Sequence, residues 1–544
     1  MSEIADAASG AAQEAGSTPP AADETPWRRL DRRMLVVGPF SLLVRVVPVV
    51  VVLLLSGQGD PIRVWIAAGA AVAAVVAGVL RWRTTRYRIT PERVELHSGW
   101  LNRQRRSVPR DRIRTVDLTA KLLHRVFGLS VVRVSAATAG VQAGGGLSLD
   151  AVSKAEAERL RRELLEHSPA TADRTDDSAA GAPPTQELAR LRWAWLRYAP
   201  LTFSSIAGMG AIAATAFNLL DDLGLDPRDI RAVDDTAARL AAAPVLIAVA
   251  VVALALLALL VVGALLLFAE RWYAYRLTRE PDGTLRVRRG LLTRRSLSVA
   301  ERRLRGAEVV EPVLLRLGRG AQARAVSTGL AGDPQGGALQ PPAPRAESHR
   351  VASAALRVPP EQITQASLRR HPRAALTRRV VRAVGPALVL AAAAFGVGDL
   401  LDLGWLGPLA LALVPVAALL GWDRYRSLGH QLTGGFLVAR SGSLVRRTVA
   451  LQRGGVIGWT FRQTLFQRRA GLVSLEAVTA AGRGGYTVLD LGARDAVDLA
   501  DATVPDLLTA FRAPLPAAAG AEHPPGDLPA QRAGRRAQER LHHG

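Results

Sequence analysis

Arginine is the residue with the most chemistry to offer in this sequence. Lys and Arg number 70 against 47 Asp and Glu, a formal net charge of +23, and the only lysines are Lys121 and Lys154. The arginines cluster: Arg103, Arg105, Arg106, Arg110, Arg112 and Arg114 in one stretch, Arg294 and Arg295 in a second, Arg446 and Arg447 in a third. A guanidinium fork grips phosphate oxygens two at a time and stays charged at any working pH. Beside a membrane, such clusters point to anionic lipid headgroups or a protein partner. The plainer alternative is a solvated face whose charge only sets topology. Nucleic acid is not an expected partner, because aromatic residues scarcely interleave with the basic stretches, Trp100 being the one case in the first cluster.

Other chemistries find little support. The chain has no cysteine, which removes thiolate nucleophiles, disulfides and Cys-ligated metal centres. Its nine histidines include no His-Glu-x-x-His pair, so no metal is expected. Gly318-Arg319-Gly320-Ala321-Gln322-Ala323 satisfies a G-x-G-x-x-A string, but a dinucleotide site needs a strand before it, a helix after it and a βαβ unit around it. No Gly-Lys-Ser/Thr occurs for a phosphate loop. The expectation is a protein that is not an enzyme and carries no cofactor.

These arginines have to be positioned by elements around long apolar runs. Half the chain (49%) is apolar while 22% is charged. Six runs approach the roughly 20 residues needed to cross a bilayer, in three pairs: 34–55 with 62–80, 201–220 with 243–268, and 380–397 with 403–421. Residues 245–268 hold no charge at all, leaving no polar face for water. Residues 1–26 carry five acidic residues, no basic one and no apolar stretch, so a signal peptide is not expected there.

Arg28, Arg29, Arg32 and Arg33 precede the first run, Arg81, Arg83, Arg86 and Arg88 follow the second, and the later pairs are flanked alike. The tip 221–235 holds six aspartates. The rule that basic flanks stay cytoplasmic then predicts a multi-pass plasma-membrane protein with both termini cytoplasmic. Arg45 is a mid-span charge, the kind that is functional or snorkels to the headgroups.

The chain restarts alike after each pair, with Tyr87-Arg88-Ile89-Thr90, Tyr275-Arg276-Leu277-Thr278 and His430-Gln431-Leu432-Thr433. A glycine opens a basic strand each time, Gly99, Gly290 and Gly442, with Arg103, Arg294 and Arg446 four residues on. Val108, Val299 and Leu451 fall nine residues after it; Ile113, Leu304 and Val456 fall fourteen after it. A further glycine, Gly128, Gly318 or Gly471, follows 29, 28 and 29 residues after the first. Short alternating pieces such as Val94-Glu95-Leu96 read as antiparallel strands. Residues 154–167 place Ala157, Leu160 and Leu164 on one stripe of a closing helix, and 503–511 is the expected counterpart in the third repeat.

With its span pairs, its Y-x-[IL]-T strand, its Gly-x-Leu-x-Arg step, Val108-Pro109-Arg110-Asp111-Arg112-Ile113 and Gly128-Leu129-Ser130-Val131, the chain resembles the bacterial pleckstrin-homology-like proteins of the membrane-flanked domain type. Its triple arrangement is similar to the YdbT-type members. The resemblance covers about residues 28–512, is best in the first repeat, and implies β-domains each closed by a C-terminal helix, with no catalytic residue.

The expected fold class is an α+β membrane protein: six transmembrane helices in three hairpins, each followed by a cytoplasmic PH-like domain. The expected boundaries are a disordered tail 1–26, hairpins 27–83, 190–271 and 369–426, PH-like domains 84–167, 272–368 and 427–512, a linker 168–189 and a disordered tail 513–544. The expected function is a non-enzymatic scaffold binding a protein partner, anionic lipid headgroups or another copy of itself. The alternative is a six-helix transporter or channel component.

Overall fold

The computed structural model describes residues 26–38, 40, 61–99, 103–110, 113–136, 146–166, 185–202, 210, 214, 244–330, 337–505 and 507–509. The expected spans 34–55 and 201–220, the tip 221–235, Arg45, Arg112 and the two terminal tails lie wholly or mostly outside these residues.

One succession of elements occurs three times. The first repeat has β1 (Arg28–Arg29), α1 (Pro61–Thr84), β2 (Arg86–Ile89), β3 (Arg93–Ser98), β4 (Gln104–Pro109), β5 (Ile113–Ala120), α2 (Leu122–Val126), β6 (Leu129–Ala136), β7 (Gly146–Ser153) and α3 (Lys154–Glu166). The second has β8 (Gln186–Arg190), α4 (Val245–Trp272), β9 (Arg276–Arg279), β10 (Thr284–Arg289), β11 (Arg294–Ala300), β12 (Leu304–Pro312), α5 (Val313–Leu317), β13 (Gly320–Ser327), β14 (Ala343–Pro344) and α6 (Arg345–Leu356). The third has α7 (Arg373–Leu400), α8 (Leu406–Arg426), β15 (Gly429–Thr433), β16 (Phe436–Ser441), β17 (Val445–Gln452), β18 (Gly458–Arg462), α9 (Leu465–Arg469), β19 (Leu472–Val478), β20 (Gly485–Gly492) and α10 (Ala493–Thr503).

Alternation builds the core. In β3, Val94 and Leu96 are buried while Arg93 faces out, as the two-residue period of a strand requires. They pack with Ile113 and Val116 of β5, Leu129 of β6, Leu147 of β7 and Leu160 of α3 in one cluster. The first two repeats therefore pack β2–β4 against β5–β7 and β9–β11 against β12–β14. The hydrogen-bonded sheets follow another logic: β5 pairs with β11 and β12 with β17, so the order is β7-β6-β5-β11-β10-β9-β8 and then β14-β13-β12-β17-β16-β15. Neighbouring repeats share a sheet.

Three described helices, α4, α7 and α8, are long and apolar enough to cross a membrane. Leu246 and Leu254 of α4 are 81% and 67% exposed, which is comfortable only in lipid. Small residues let α7 and α8 approach closely. A Cβ on Gly407 would lie 2.2 Å from the Phe395 ring, and one on Gly421 would lie 3.0 Å from the Arg379 carbonyl oxygen.

The opening glycines take one conformation, with φ of +100° at Gly99, +110° at Gly290 and +103° at Gly442. A Cβ on Gly290 would stand 1.9 Å from the Thr293 carbonyl oxygen. Gly290→Ala should therefore destabilise the protein by roughly 1–3 kcal/mol. Gly404→Ala, with nothing within 4 Å, should stay within about 0.5 kcal/mol. Thermal unfolding of the two variants in detergent checks this, and equal melting would refute the turn argument.

Three expectations are corrected. Gly318 does not take the left-handed place of Gly128 (φ +69°) and Gly471 (φ +64°); Arg319 does, at φ +55°. The spacing from the opening glycine is then 29 residues in all three repeats, since 319 − 290 = 29. The sequence hid this because glycine stood one place early. The closing helix of the third repeat is α10, not 503–511; its buried stripe of Ala496, Leu499, Ala500 and Thr503 is too alanine-rich to stand out as apolar. Finally, Gln186–Arg190 of the expected linker pairs with β9. The G-x-G-x-x-A string spans the turn after α5 and the start of β13, with no helix following its glycines.

Candidate functional site

A basic cavity of about 710 Å³ lies where the first repeat joins the second. The strand period explains its lining. In β10, Leu285 and Val287 turn into the core, so Arg286 and Arg288 share the opposite face. Register carries that face across the sheet: Arg288 lies opposite Arg276 of β9 and Ser296 of β11, and Arg294 stands two residues before Ser296. Arg276, Arg288 and Arg294 are exposed. Arg125 of α2 donates to the Leu291 carbonyl across the joint. Tyr273 and Ala274, at the end of α4, also line the cavity, which places it at the root of a helix able to cross a membrane.

An ion network holds this joint. Arg161 of α3 contacts Glu280 at 2.8 Å and Glu158 at 3.0 Å. Arg286 contacts Glu280 at 3.1 Å and also pairs with Glu158. Burial opposes ionisation of Glu158, but the Arg286 and Arg161 guanidiniums together outweigh it and hold the carboxyl below its ordinary range. Burial and the nearby Arg286 charge lower Arg288 from its ordinary value. An anion beside Arg288 would relieve that repulsion.

A second polar cluster sits at the base of α7. Asp490, fully buried, meets Arg378 at 2.6 Å and Arg379 at 2.5 Å, and accepts from Gln467 Nε2 at 2.7 Å. Burial opposes its ionisation; Arg379 and Gln467 overcome this and lower its pKa. His371 Nδ1 lies 3.2 Å from the Asp490 carbonyl oxygen, and His430 Nδ1 lies 3.2 Å from His371 Nε2. Among the described residues no three His, Asp or Glu side chains are grouped to hold a metal ion.

The arginines singled out by sequence part company here. Arg294 and Arg295 line the cavity, although Arg295 is held by Asp117 at 2.8 Å. Arg103, Arg105 and Arg106 are exposed at and just before β4. Arg110 is turned inward, 7% exposed, donating to the carbonyls of Glu163 at 2.8 Å and Thr90 at 3.3 Å. Arg446 donates to Ser427 Oγ at 3.2 Å, and Arg447 pairs with Glu308 at 3.0 Å.

The sequence reading did not propose Arg276, Arg286 or Arg288 as site residues. The Arg-x-Arg spacing of 286 and 288 was the available signal. Asp490 had none, since its two arginine partners lie more than a hundred residues away.

Two regions of the chain, 39–168 and 386–507, match the family model of the bacterial PH domain. The second repeat is not matched, but it has the same order of elements. The chain is 24% identical over 440 residues to "UPF0699 transmembrane protein YdbT" of Bacillus subtilis (strain 168), covering 78% of this chain and 85% of that protein. No solved structure gives a significant match.

Proposed function

Because this is a membrane-associated protein with bacterial PH domains, we propose that it is a non-enzymatic scaffold whose basic cavity holds a phosphate-bearing lipid headgroup. One observation carries the reading: among the described residues lining the cavity eight are Arg or Lys and one, Glu158, is acidic. Glu158 is already committed to Arg286 and Arg161 and reaches Arg288 only at 3.7 Å, so a bound phosphate would meet Arg276 and Arg294 directly and share Arg288 with that carboxylate. Forked donors suit a phosphate, and the cavity's place at the end of α4 suits one anchored in the bilayer.

The scaffold is anchored by six spans in three hairpins. What supports this is where the chain re-enters the sheets. β1 pairs with β2, β8 with β9, and Arg369 bridges His430, so each membrane segment starts and ends at the same sheet. A chain that leaves and returns on one side crosses an even number of times. α7 and α8 supply two crossings in the third segment; α4 and α1 then each need a partner, a role the sequence offers to the apolar runs 201–220 and 34–55. The basic flanks put the domains on the cytoplasmic side.

The test uses the full chain in neutral detergent at low salt. Phosphatidylglycerol should raise its melting temperature where phosphatidylcholine does not, and added salt should erase the difference. Replacing Arg276, Arg288 and Arg294 together by Gln should weaken phosphatidylglycerol binding by about 3 kcal/mol, at roughly 1 kcal/mol per basic residue. Equal shifts with the two lipids would end the lipid reading.

A further inference from the structure

The two joints between repeats have the same register. Val299 and Leu451, each nine residues past the opening glycine, lie opposite Thr115 and Gly306, each two residues past Ile113 and Leu304. Arg295 and Arg447, each five past the glycine, make the same ion pair, with Asp117 at 2.8 Å and Glu308 at 3.0 Å. Asp117 and Glu308 are themselves equivalent, each four residues past Ile113 or Leu304. Every repeat contributes one strand of each kind. Three repeats make two joints, so one strand of each kind is left over. Among the described residues these are β4, which ends its sheet beside β3, and β18, which ends its sheet beside β19.

We propose that the chain assembles head to tail, β4 of one copy adding to β18 of the next in the register of the internal joints. That register sets Val108 opposite Gly458, Ser107 opposite Trp459, Arg106 opposite Thr460, Arg105 opposite Phe461 and Gln104 opposite Arg462. The occupant is a second copy because the two ends complete each other: neither kind of strand meets its own kind at either internal joint. Gly458 points the same way. At the equivalent Gly306 a Cβ would lie 2.2 Å from the Ala450 carbonyl oxygen of the incoming strand, whereas at Gly458 only Val478 Cβ lies near, at 4.0 Å.

The third repeat thus keeps a glycine suited to a close approach that no strand makes among the described residues. Ile457 and Phe461, 63% and 41% exposed, stand at this edge, and a guanidinium from Arg105 can lie over the Phe461 ring. The recurring ion pair has no counterpart here, since its places are held by Gln104 and Thr460. The joint between chains is therefore weaker than those within. Contacts of this heterologous kind build rings or filaments. The surface is separate from the basic cavity, so either proposal can fail without the other.

The absence of cysteine allows a clean test in native membranes with the full chain. Two differently tagged copies are co-expressed, one Arg105→Cys and the other Phe461→Cys, and mildly oxidised. A disulfide-linked heterodimer is expected. Moving the second cysteine to Arg462→Cys, on the other face of the strand, should cut the yield by about tenfold, because the Cβ vectors then point apart. Installing the missing ion pair, Gln104→Arg on the first copy with Thr460→Glu on the second, should raise the yield at short oxidation times by about two- to fivefold. Absence of the heterodimer, equal yield from the two cysteine positions, dominant homodimers of the Arg105→Cys copy, crosslinking to another protein instead, or no gain from the added ion pair would each overturn the proposal.

Discussion

Asp490→Asn is expected to destabilise the protein by about 3–5 kcal/mol, the usual loss when one partner of a buried ion pair is removed and the other is left uncompensated. Asp490 is fully buried, and Arg379, with its side chain 6% exposed, has it as its ion-pair partner. Asparagine is the informative substitution because it preserves shape and tolerates the left-handed conformation at this position, φ +56°. Any loss then reports the charge. Adding Arg379→Leu should recover part of the loss, since it removes the orphaned cation, and the two changes should be strongly non-additive. Thermal or denaturant unfolding of the detergent-solubilised chain measures both. A loss for Asp490→Asn below about 1 kcal/mol, on the scale of an exposed pair, would mean that the cluster does not clamp α7 to the third repeat.

The second large effect is with pH. Burial pushes His349 down to about 4, with Arg345 adding to it, and burial pushes His430 to about 4, with His371 and Arg369 adding. Both rings are neutral in the folded protein across the range where the unfolded chain takes up protons, near pH 6.5. The unfolded state therefore binds more protons between about 6.5 and 4, and stability falls as pH drops through that window. The contribution is fully present above pH 6.5 and is lost by the time the folded pKa is reached. Each histidine accounts for on the order of 3 kcal/mol of the fall across the window.

Glu158 and Asp490 have lowered folded pKa values, so their contributions vanish at still lower pH and do not mask this window. Melting temperature measured from pH 7.5 to 4.5 should fall steeply for the native chain. His349→Gln and His430→Gln together should flatten the curve. A flat profile in the native chain would show that these rings are not held neutral by the fold.

How much could be read early is clear from particular residues. Gly99, Gly290 and Gly442 could be found because their role is local: a left-handed turn depends on the glycine and the next few residues. Residues 154–167 were legible as a helix for the same reason, since the stripe of Ala157, Leu160 and Leu164 depends only on spacing within the segment. The apolar runs were legible because a bilayer demands roughly 20 residues without charge, whatever surrounds them. Arg319 in the glycine's place, and the alanine-rich α10, were missed because a local rule was met there by an untypical residue.

What the amino-acid order determined by itself, then, is the set of elements: three repeats, their turns, their closing helix in the first copy, and apolar segments fit for a membrane. Tertiary structure decided which strand meets which. Nothing in Ile113–Ala120 announces Arg294–Ala300 as its partner, because a sheet edge offers the same N–H and C=O groups to any strand, and selection falls to side chains such as Asp117 and Arg295, 178 residues apart. That pairing gathers Arg276, Arg286, Arg288 and Arg294 into one cavity with α3 of the repeat before. It also leaves β4 and β18 at the two ends, since a joint needs two neighbours and the outermost strands of a single chain have one each.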